Sequence, residues 1–98
     1  AKQFAEHKNK LSAVEKKRTQ HVIDEVQRTR RGAKALRANN IAEFGACMTA
    51  THYSLRDLFE VSTDELDILV KASTDVEGCY GARLTGAGFG GCVAALVH

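Results

Sequence analysis

Residues 81–92 read GARLTGAGFGGC and hold five of the eight glycines of this 98-residue chain. A short apolar segment precedes the glycines and another, residues 93–97, follows them, which predicts two strands joined by a glycine-rich turn. Glycine lacks Cβ and tolerates positive φ, so such a loop can bring backbone N–H groups close to a phosphate. The stretch predicts a phosphate-binding loop, and a plain turn between two strands fits the spacing equally well.

A long helix is predicted near the start of the chain. Ser12 and Glu15 have the spacing of a capping box, in which each side chain bonds the backbone N–H of the other residue. The helix is expected to end at Asn39, with Gly32 as a weak point. Its buried face is predicted from apolar positions that repeat near the helical period, namely Val14, Val22, Val26, Ala33 and Leu36.

Two shorter helices are expected next. Asn40 with Glu43 predicts the start of the second helix, whose apolar face is Ile41, Phe44, Met48 and Leu55. Ser62 with Glu65 predicts a capping box for the third, which runs to about Ser73. A hydrophobic staple between Val61 and Leu66 and a buried face of Leu66, Leu69 and Val70 are also predicted. Three helices therefore precede two strands, which indicates an α+β domain.

Charge is distributed unevenly along the chain. Residues 1–38 carry eleven Lys or Arg against four acids, whereas residues 39–98 carry three against eight. Residues 12–37 are therefore one candidate for a basic module that binds nucleic acid. They lack interleaved aromatic residues and any known reader motif. A solvated helix face is the preferred interpretation, and no nucleic-acid partner is predicted.

The three cysteines, Cys47, Cys79 and Cys92, form no C-x-x-C pair. This spacing favours neither a disulfide framework nor a zinc site, and no metal ligand is predicted. We interpret the cysteines as reduced thiols, with Cys92 a small core residue. Because no signal-peptide core or membrane-length apolar run is found, we expect a cytoplasmic protein with no membrane partner.

The glycine spacing alone is a poor guide to the fold. Gly86, Gly88 and Gly91 satisfy G-x-G-x-x-G, but a dinucleotide-binding fold needs a helix after the glycines and an acid about 20 residues later. The glycine loop of protein kinases needs a lysine on a later strand. Only seven residues follow Gly91. Both interpretations are therefore excluded by position, and Walker A fails because no Lys-Ser or Lys-Thr follows the glycines.

Three polar residues, His52, Arg83 and Ser54, have both a structural and a functional interpretation. His52 is interpreted as a hydrogen-bonded, half-buried residue rather than a ligand or catalytic group, because no second histidine lies at metal spacing. Arg83 could reach a phosphate, although an ion pair with a helix acid is the preferred interpretation. Ser54 belongs to a small polar cluster that ordinary helix-end hydrogen bonding would explain.

The full string GARLTGAGFGGC resembles the third motif of the galactokinase branch of the GHMP (galacto-, homoserine, mevalonate and phosphomevalonate) kinases. Residues 18–28 are similar to that family's R-x-x-H-V-x-x-E-x-x-R helix. Residues 52–70, HYSLRDLFEVSTDELDILV, are similar to its H-x-S-L-R-D-x-x-x-V-S-x-x-E-L-D-x-L-V block. Three blocks in the same order cover roughly residues 12–97 and are far more specific than one glycine pattern.

The resemblance implies a ferredoxin-like C-terminal domain of a GHMP kinase, with helices packed on a small antiparallel sheet and residues 1–98 forming part of it. It also implies that the N-terminal domain, with the sugar-recognition signature, the serine-rich second motif and the catalytic groups, is absent. No catalytic residue is assigned to this chain. A surface that would face the missing domain should be exposed and partly apolar, which predicts self-association.

The implied whole enzyme transfers the γ-phosphoryl group of ATP, with Mg²⁺, to the 1-hydroxyl of galactose. This chain would supply the loop beside the phosphate and sugar, namely Thr85, Gly86, Ala87, Gly88, Phe89, Gly90 and Gly91. Arg83 and Ser54 are possible accessory residues. The chain alone is expected to be inactive. A non-catalytic relative that senses sugar or ATP remains the alternative.

Overall fold

The computed structural model describes residues 3, 12–85 and 91–98. Within residues 12–85 and 91–98, three helices pack on a two-stranded antiparallel sheet, which confirms the α+β arrangement expected from the sequence. The elements are α1 (Ala13–Arg37), α2 (Ile41–Ser54), a π-helical turn (Leu55–Phe59), α3 (Asp64–Thr74), β1 (Cys79–Thr85) and β2 (Cys92–Val97). Within the described residues, no helix has the length and apolar run needed to cross a membrane.

The capping box at the start of α1 is confirmed. Ser12 Oγ accepts from the Glu15 N–H at 3.1 Å, and Glu15 Oε1 accepts from the Ser12 N–H at 3.1 Å. The helix ends at Arg37, before the expected Asn39, which has a φ of 57°. This left-handed residue turns the chain. The turn lets the Asn40 side chain cap α2 by accepting from the Glu43 N–H at 3.1 Å, as predicted.

The predicted buried face of α1 is wrong. Val14, Val22, Val26 and Leu36 are each about half exposed, whereas His21, Gly32 and Ala35 are buried. The buried residues lie against α2, and Phe44 packs over Gly32, whose missing side chain leaves room for the ring. The repeat of apolar residues therefore identified a face of α1 next to the buried one. The helix packs through polar and small residues, which a pattern of hydrophobicity does not identify.

On α2, too, the buried residues differ from those that the apolar pattern predicts. Gly45, Cys47, Thr51 and His52 are buried on α2. The predicted apolar residues, Ile41, Phe44, Met48 and Leu55, are only partly buried.

The predicted cap of α3 is off by one residue. Thr63, with extended φ and ψ of −125° and 165°, is the cap, and its Oγ1 accepts from the Leu66 N–H at 3.2 Å. Ser62 Oγ instead donates to Asp67 Oδ1 at 2.7 Å. Leu66 and Val70 are buried as predicted, but Leu69 is half exposed.

The sheet packs on α3 through a small apolar core. Val61, Leu66 and Leu84 form this core, with Leu55 and Val93 packed against it. Val61 and Leu66, the predicted staple, thus lie in one cluster. Across the sheet, Leu84 pairs with Val93 and Thr85 with Cys92, with an irregularity between Cys79 and Gly81.

Candidate functional site

The predicted glycine loop follows the last residue of β1 and precedes the first residue of β2. Thr85, the last residue of β1, is exposed and pairs with Cys92, and its Oγ1 donates to the Cys92 carbonyl at 3.4 Å. Gly91 has a φ of 109°, in the left-handed region that favours glycine. Residues 86–90 (Gly86, Ala87, Gly88, Phe89 and Gly90) lie outside the described residues. The structure therefore gives the two ends of the candidate loop.

The strand that leads into the loop is held along its outer edge by α2. The Ala82 N–H donates to Thr49 Oγ1 at 3.1 Å, and the Leu84 N–H donates to His52 Nδ1 at 3.0 Å. These are alternate residues of β1, whose N–H groups point away from β2. Side chains of α2 therefore occupy the place that a third strand would take, and they fix β1 one residue before Thr85.

His52 connects three elements through a defined tautomer. Since Nδ1 accepts from the Leu84 N–H, the proton of the neutral ring lies on Nε2, which donates to Asp67 Oδ1 at 2.9 Å. Ser62 Oγ donates to the same carboxylate oxygen at 2.7 Å. The His52 side chain is completely buried. The interpretation of His52 as a hydrogen-bonded residue is confirmed, and its burial is deeper than predicted.

The backbones of α2 and β1 approach each other at two glycines. A Cβ on Gly45 would collide with the Tyr80 carbonyl, and a Cβ on Gly81 would collide with the Gly45 carbonyl. This contact lets Thr49 and His52 reach the strand edge. No sequence pattern had predicted that Gly45, Thr49 and Asp67 position β1. The available signal was a glycine in the middle of a predicted helix, which often marks close packing.

Arg83, a candidate accessory residue, is half buried on the sheet face opposite Leu84. It lines a cavity of about 160 Å³ together with α1 and α2 residues that include Glu25, Arg28 and Thr51. Its Nε donates to the Leu84 carbonyl at 3.0 Å. Within the described ranges, no carboxylate lies within 4.0 Å of its guanidinium, so the preferred interpretation as an ion pair with a helix acid is not confirmed.

Ser54, the second accessory candidate, is buried against α1. Its Oγ lies 2.7 Å from His21 Nδ1, and the His21 ring stacks at a tilt on Phe59 with 5.1 Å between centroids. Burial lowers the pKa of His21, and Arg28 and Arg83 lower it further, against the raising effect of Glu25 and Asp24. The histidine is therefore neutral near pH 7. Ser54 therefore joins α2 to α1, instead of making the helix-end hydrogen bond expected from the sequence.

The motif helix, residues 18–28, forms a polar seam against α2 and the π-helical turn. Arg18 Nη1 donates to the Leu58 carbonyl at 2.7 Å and to Glu60 Oε1 at 3.0 Å. Thr51 Oγ1 donates to Glu25 Oε1 at 3.0 Å. These contacts, with the contact between His21 and Ser54, place the motif residues on one helix face. The spacing of these motif residues therefore lets them contact α2 and the π-helical turn.

One part of this seam is imperfectly paired. Arg28 Nε lies 3.8 Å from Glu25 Oε2, beyond hydrogen-bonding distance. Among the described residues, these two atoms and Arg28 Nη2 have no hydrogen-bond partner, and all three are shielded from solvent. Glu25 and Arg28 also line the cavity that contains Arg83.

Two further findings limit the chemistry of the described residues. They contain no group of three or more His, Cys, Asp or Glu side chains placed to hold a metal ion. Cys92 is exposed at the start of β2, so its interpretation as a core residue is wrong. The register places it at the end of the sheet opposite Thr85.

Comparisons with known proteins agree with this architecture. The galactokinase of Roseiflexus sp. (strain RS-1) is 47% identical over 96 residues, which are 98% of this chain and 25% of that protein. Human galactokinase is 49% identical over 82 residues, or 84% of this chain and 21% of that protein. The crystal structure of Lactococcus lactis galactokinase complexed with galactose matches with a TM-score of 0.85 and 44% identity, covering 88% of this chain and 22% of that one.

The chain thus spans about a quarter or less of the length of these relatives. Residues 33–98 match the family described as GHMP kinases C terminal. These residues include α2, α3 and both strands. The chain therefore belongs to the GHMP kinase family and carries part of its C-terminal domain.

Proposed function

We propose that this chain is the C-terminal part of a galactokinase, which transfers the γ-phosphoryl group of ATP to the 1-hydroxyl of galactose. The observation that carries the proposal is the similarity to galactokinases at 43–49% identity over most of the chain. The similarity in structure to a galactokinase complexed with galactose also supports it.

In this proposal the chain supplies one wall of the active site. Phosphoryl transfer depends on positioning the reactants and on stabilising the charge of the equatorial oxygens. Backbone N–H groups of residues 86–91 would lie beside the transferred phosphate and the sugar, with Thr85 fixing the entry to the loop. The positive φ of Gly91 supports a tight backbone path at the exit. Arg83 is an accessory candidate for a phosphate contact.

The catalytic groups are assigned to the N-terminal domain that the proposal requires. The described residues hold no group of three or more His, Cys, Asp or Glu side chains placed to hold a metal ion. The proposal assigns the ligands of Mg²⁺ to the N-terminal domain. When bound, the ion would neutralise phosphate charge during the transfer. The 98-residue chain alone should therefore have no galactokinase activity in a coupled assay. Turnover above background would contradict this division of roles.

The proposal also includes self-association of the isolated chain. The exposed valines of α1, Val14, Val22 and Val26, form an apolar stripe in the described structure. In the whole protein, this stripe is a candidate contact for the remaining domain. An isolated chain would leave such surfaces open to other copies.

A chimera tests the proposed activity directly. The matching segment of Lactococcus lactis galactokinase would be replaced by residues 12–98 of this chain, and phosphorylation of galactose by ATP would be measured. We expect an active enzyme, because 44% identity and a TM-score of 0.85 preserve the scaffold. The matched control carries Gly88→Val, which should abolish activity without unfolding the chimera. A folded chimera that binds galactose and ATP but transfers no phosphate would contradict the proposal and favour a non-catalytic relative.

A further inference from the structure

Both outward backbone groups of Leu84 are bound by side chains. Its N–H donates to His52 Nδ1 at 3.0 Å, and its carbonyl accepts from Arg83 Nε at 3.0 Å. Its own side chain is buried and lies in the core with Val61 and Leu66. Leu84 is therefore held at its backbone and at its side chain, and it joins α2 and α3 to the sheet.

The His52 ring is held at both of its nitrogens. Nε2 donates to Asp67 Oδ1 at 2.9 Å, and that oxygen also accepts from Ser62 Oγ at 2.7 Å. The ring therefore cannot turn without breaking its hydrogen bond to α3. Thr49, the other acceptor at this strand edge, binds Ala82, three residues before the end of β1. The residue that His52 binds lies one residue before that end, so His52 is the nearer of the two acceptors to the candidate loop.

We propose that His52 is a positioning residue for the phosphoryl transfer assigned above, and that it acts through Leu84 on Arg83 and Thr85. The Leu84 carbonyl orients the guanidinium of Arg83, and the next peptide leads into Thr85. A shift of the Leu84 backbone would therefore move both groups. Misplacing a reacting group by about 1 Å can cost about a hundredfold in rate, so a buried side chain that touches no reactant can limit turnover. The inference rests on the proposed function.

Two amide substitutions separate the two hydrogen bonds of the ring. The amide oxygen of asparagine takes the place of Nδ1, so His52→Asn keeps an acceptor for the Leu84 N–H and loses the donor to Asp67. The amide nitrogen of glutamine takes the place of Nε2, so His52→Gln keeps the donor and loses the acceptor. Each variant loses one buried hydrogen bond. A purely structural role of His52 predicts similar effects for the two variants.

The two variants would be compared in the chimera described above, with kcat and the KM values for galactose and ATP measured per folded molecule. We expect His52→Gln to lower kcat about tenfold or more with little change in either KM, because the lost contact acts on the transition state. His52→Asn should retain most of the kcat. Thr63→Ala is the control for lost stability, since it removes a hydrogen bond at the start of α3 and should leave kcat unchanged.

Amide exchange of the 98-residue chain reports the positioning contact without a catalytic assay. The Leu84 N–H should stay protected in His52→Asn and exchange faster in His52→Gln. If His52→Gln does not fold, His52→Asn still decides the question. A folded His52→Asn in which Leu84 is protected but kcat is lost would overturn the proposal.

The outcomes distinguish this role from the proposed function. An active chimera in which folded His52→Gln keeps its kcat would overturn the positioning role alone. A folded chimera that has His52 intact and transfers no phosphate would contradict the proposed function, and the positioning role with it. A fall in kcat with His52→Gln that His52→Asn largely avoids would support both.

Discussion

Gly45 of α2 and Gly81 of β1 pack backbone to backbone, so closely that neither position has room for a Cβ. Because of this contact, a helix lies along the edge of a strand, where its side chains can accept hydrogen bonds from the strand. The position of the strand that enters the glycine loop therefore depends on two residues that carry no functional group.

Gly45→Ala should destabilise the fold strongly. The added Cβ would collide with the Tyr80 carbonyl, which belongs to the backbone and cannot rotate away. We expect a loss of about 3 kcal/mol or more in the free energy of unfolding, measured by urea denaturation. Gly32→Ala is the matched control, since its Cβ would lie 3.4 Å from the Phe44 ring. That change should stabilise α1 by up to about 1 kcal/mol. Equal effects of the two substitutions would contradict the packing described above.

His52→Leu should release the edge of β1. The substitution leaves the buried Leu84 N–H and one oxygen of Asp67 without this partner. We expect a loss of about 3 kcal/mol, because each unsatisfied buried group costs about 1–3 kcal/mol. Thr49→Val removes only the acceptor of the Ala82 N–H and should cost less. Amide exchange at Leu84 should become faster in His52→Leu and change little in Thr49→Val. Unchanged protection of Leu84 would mean that the imidazole does not hold the strand.

The buried His21 should make stability depend on pH. Burial lowers its pKa in the folded protein, so the unfolded chain binds a proton first as the pH falls. Its contribution to stability is complete above the usual histidine pKa of about 6.5 and declines below that value until the folded protein is also protonated. His21→Gln should flatten this part of the profile, whereas His98→Gln, at an exposed site, should not. Parallel profiles for His21→Gln and the natural chain, measured by denaturation between pH 5 and about 8, would count against this origin.

The cap of α3 can be located by alanine substitution. Thr63→Ala should cost about 1 kcal/mol, since Thr63 Oγ1 accepts from the Leu66 N–H. Glu65→Ala should be nearly neutral, because Glu65 is exposed and takes no part in the cap. The capping box inferred from sequence requires the reverse order of effects. Thermal denaturation of the two variants distinguishes these possibilities.

The sequence predicted those parts of the fold that depend on neighbouring residues. The capping box of Ser12 and Glu15 closes within one helical turn, and the hairpin strands lie close together in the chain. Both were found. The spacing of Ser62 and Glu65 is equally local, but Thr63 offers a competing hydroxyl one residue later, and the backbone conformation decides between them.

Local sequence patterns did not predict the contacts between residues that are far apart in the chain. The repeat of apolar residues wrongly predicted that Val22 and Val26 lie on the buried face of α1. Such a pattern gives no weight to a histidine or a glycine in an interface. The burial of His21 depends on Ser54, and the role of Gly45 depends on Gly81, each more than thirty residues away. At the candidate site, the sequence predicts a loop whose residues 86–90 lie outside the described ranges, and it did not predict the side chains of α2 that hold the preceding strand.

The contacts of the polar seam predict which substitutions affect folding and which affect the proposed reaction. Arg18, His21 and Glu25, which make the helical block recognisable, bind Leu58, Ser54 and Thr51 of the same chain. A related chain without phosphoryl-transfer activity would still need these residues to fold. Selection on the seam therefore preserves the scaffold, whereas selection on residues 86–91 preserves the proposed chemistry. Substitutions in the seam should reduce the amount of folded protein, and substitutions in the loop should reduce turnover per folded molecule.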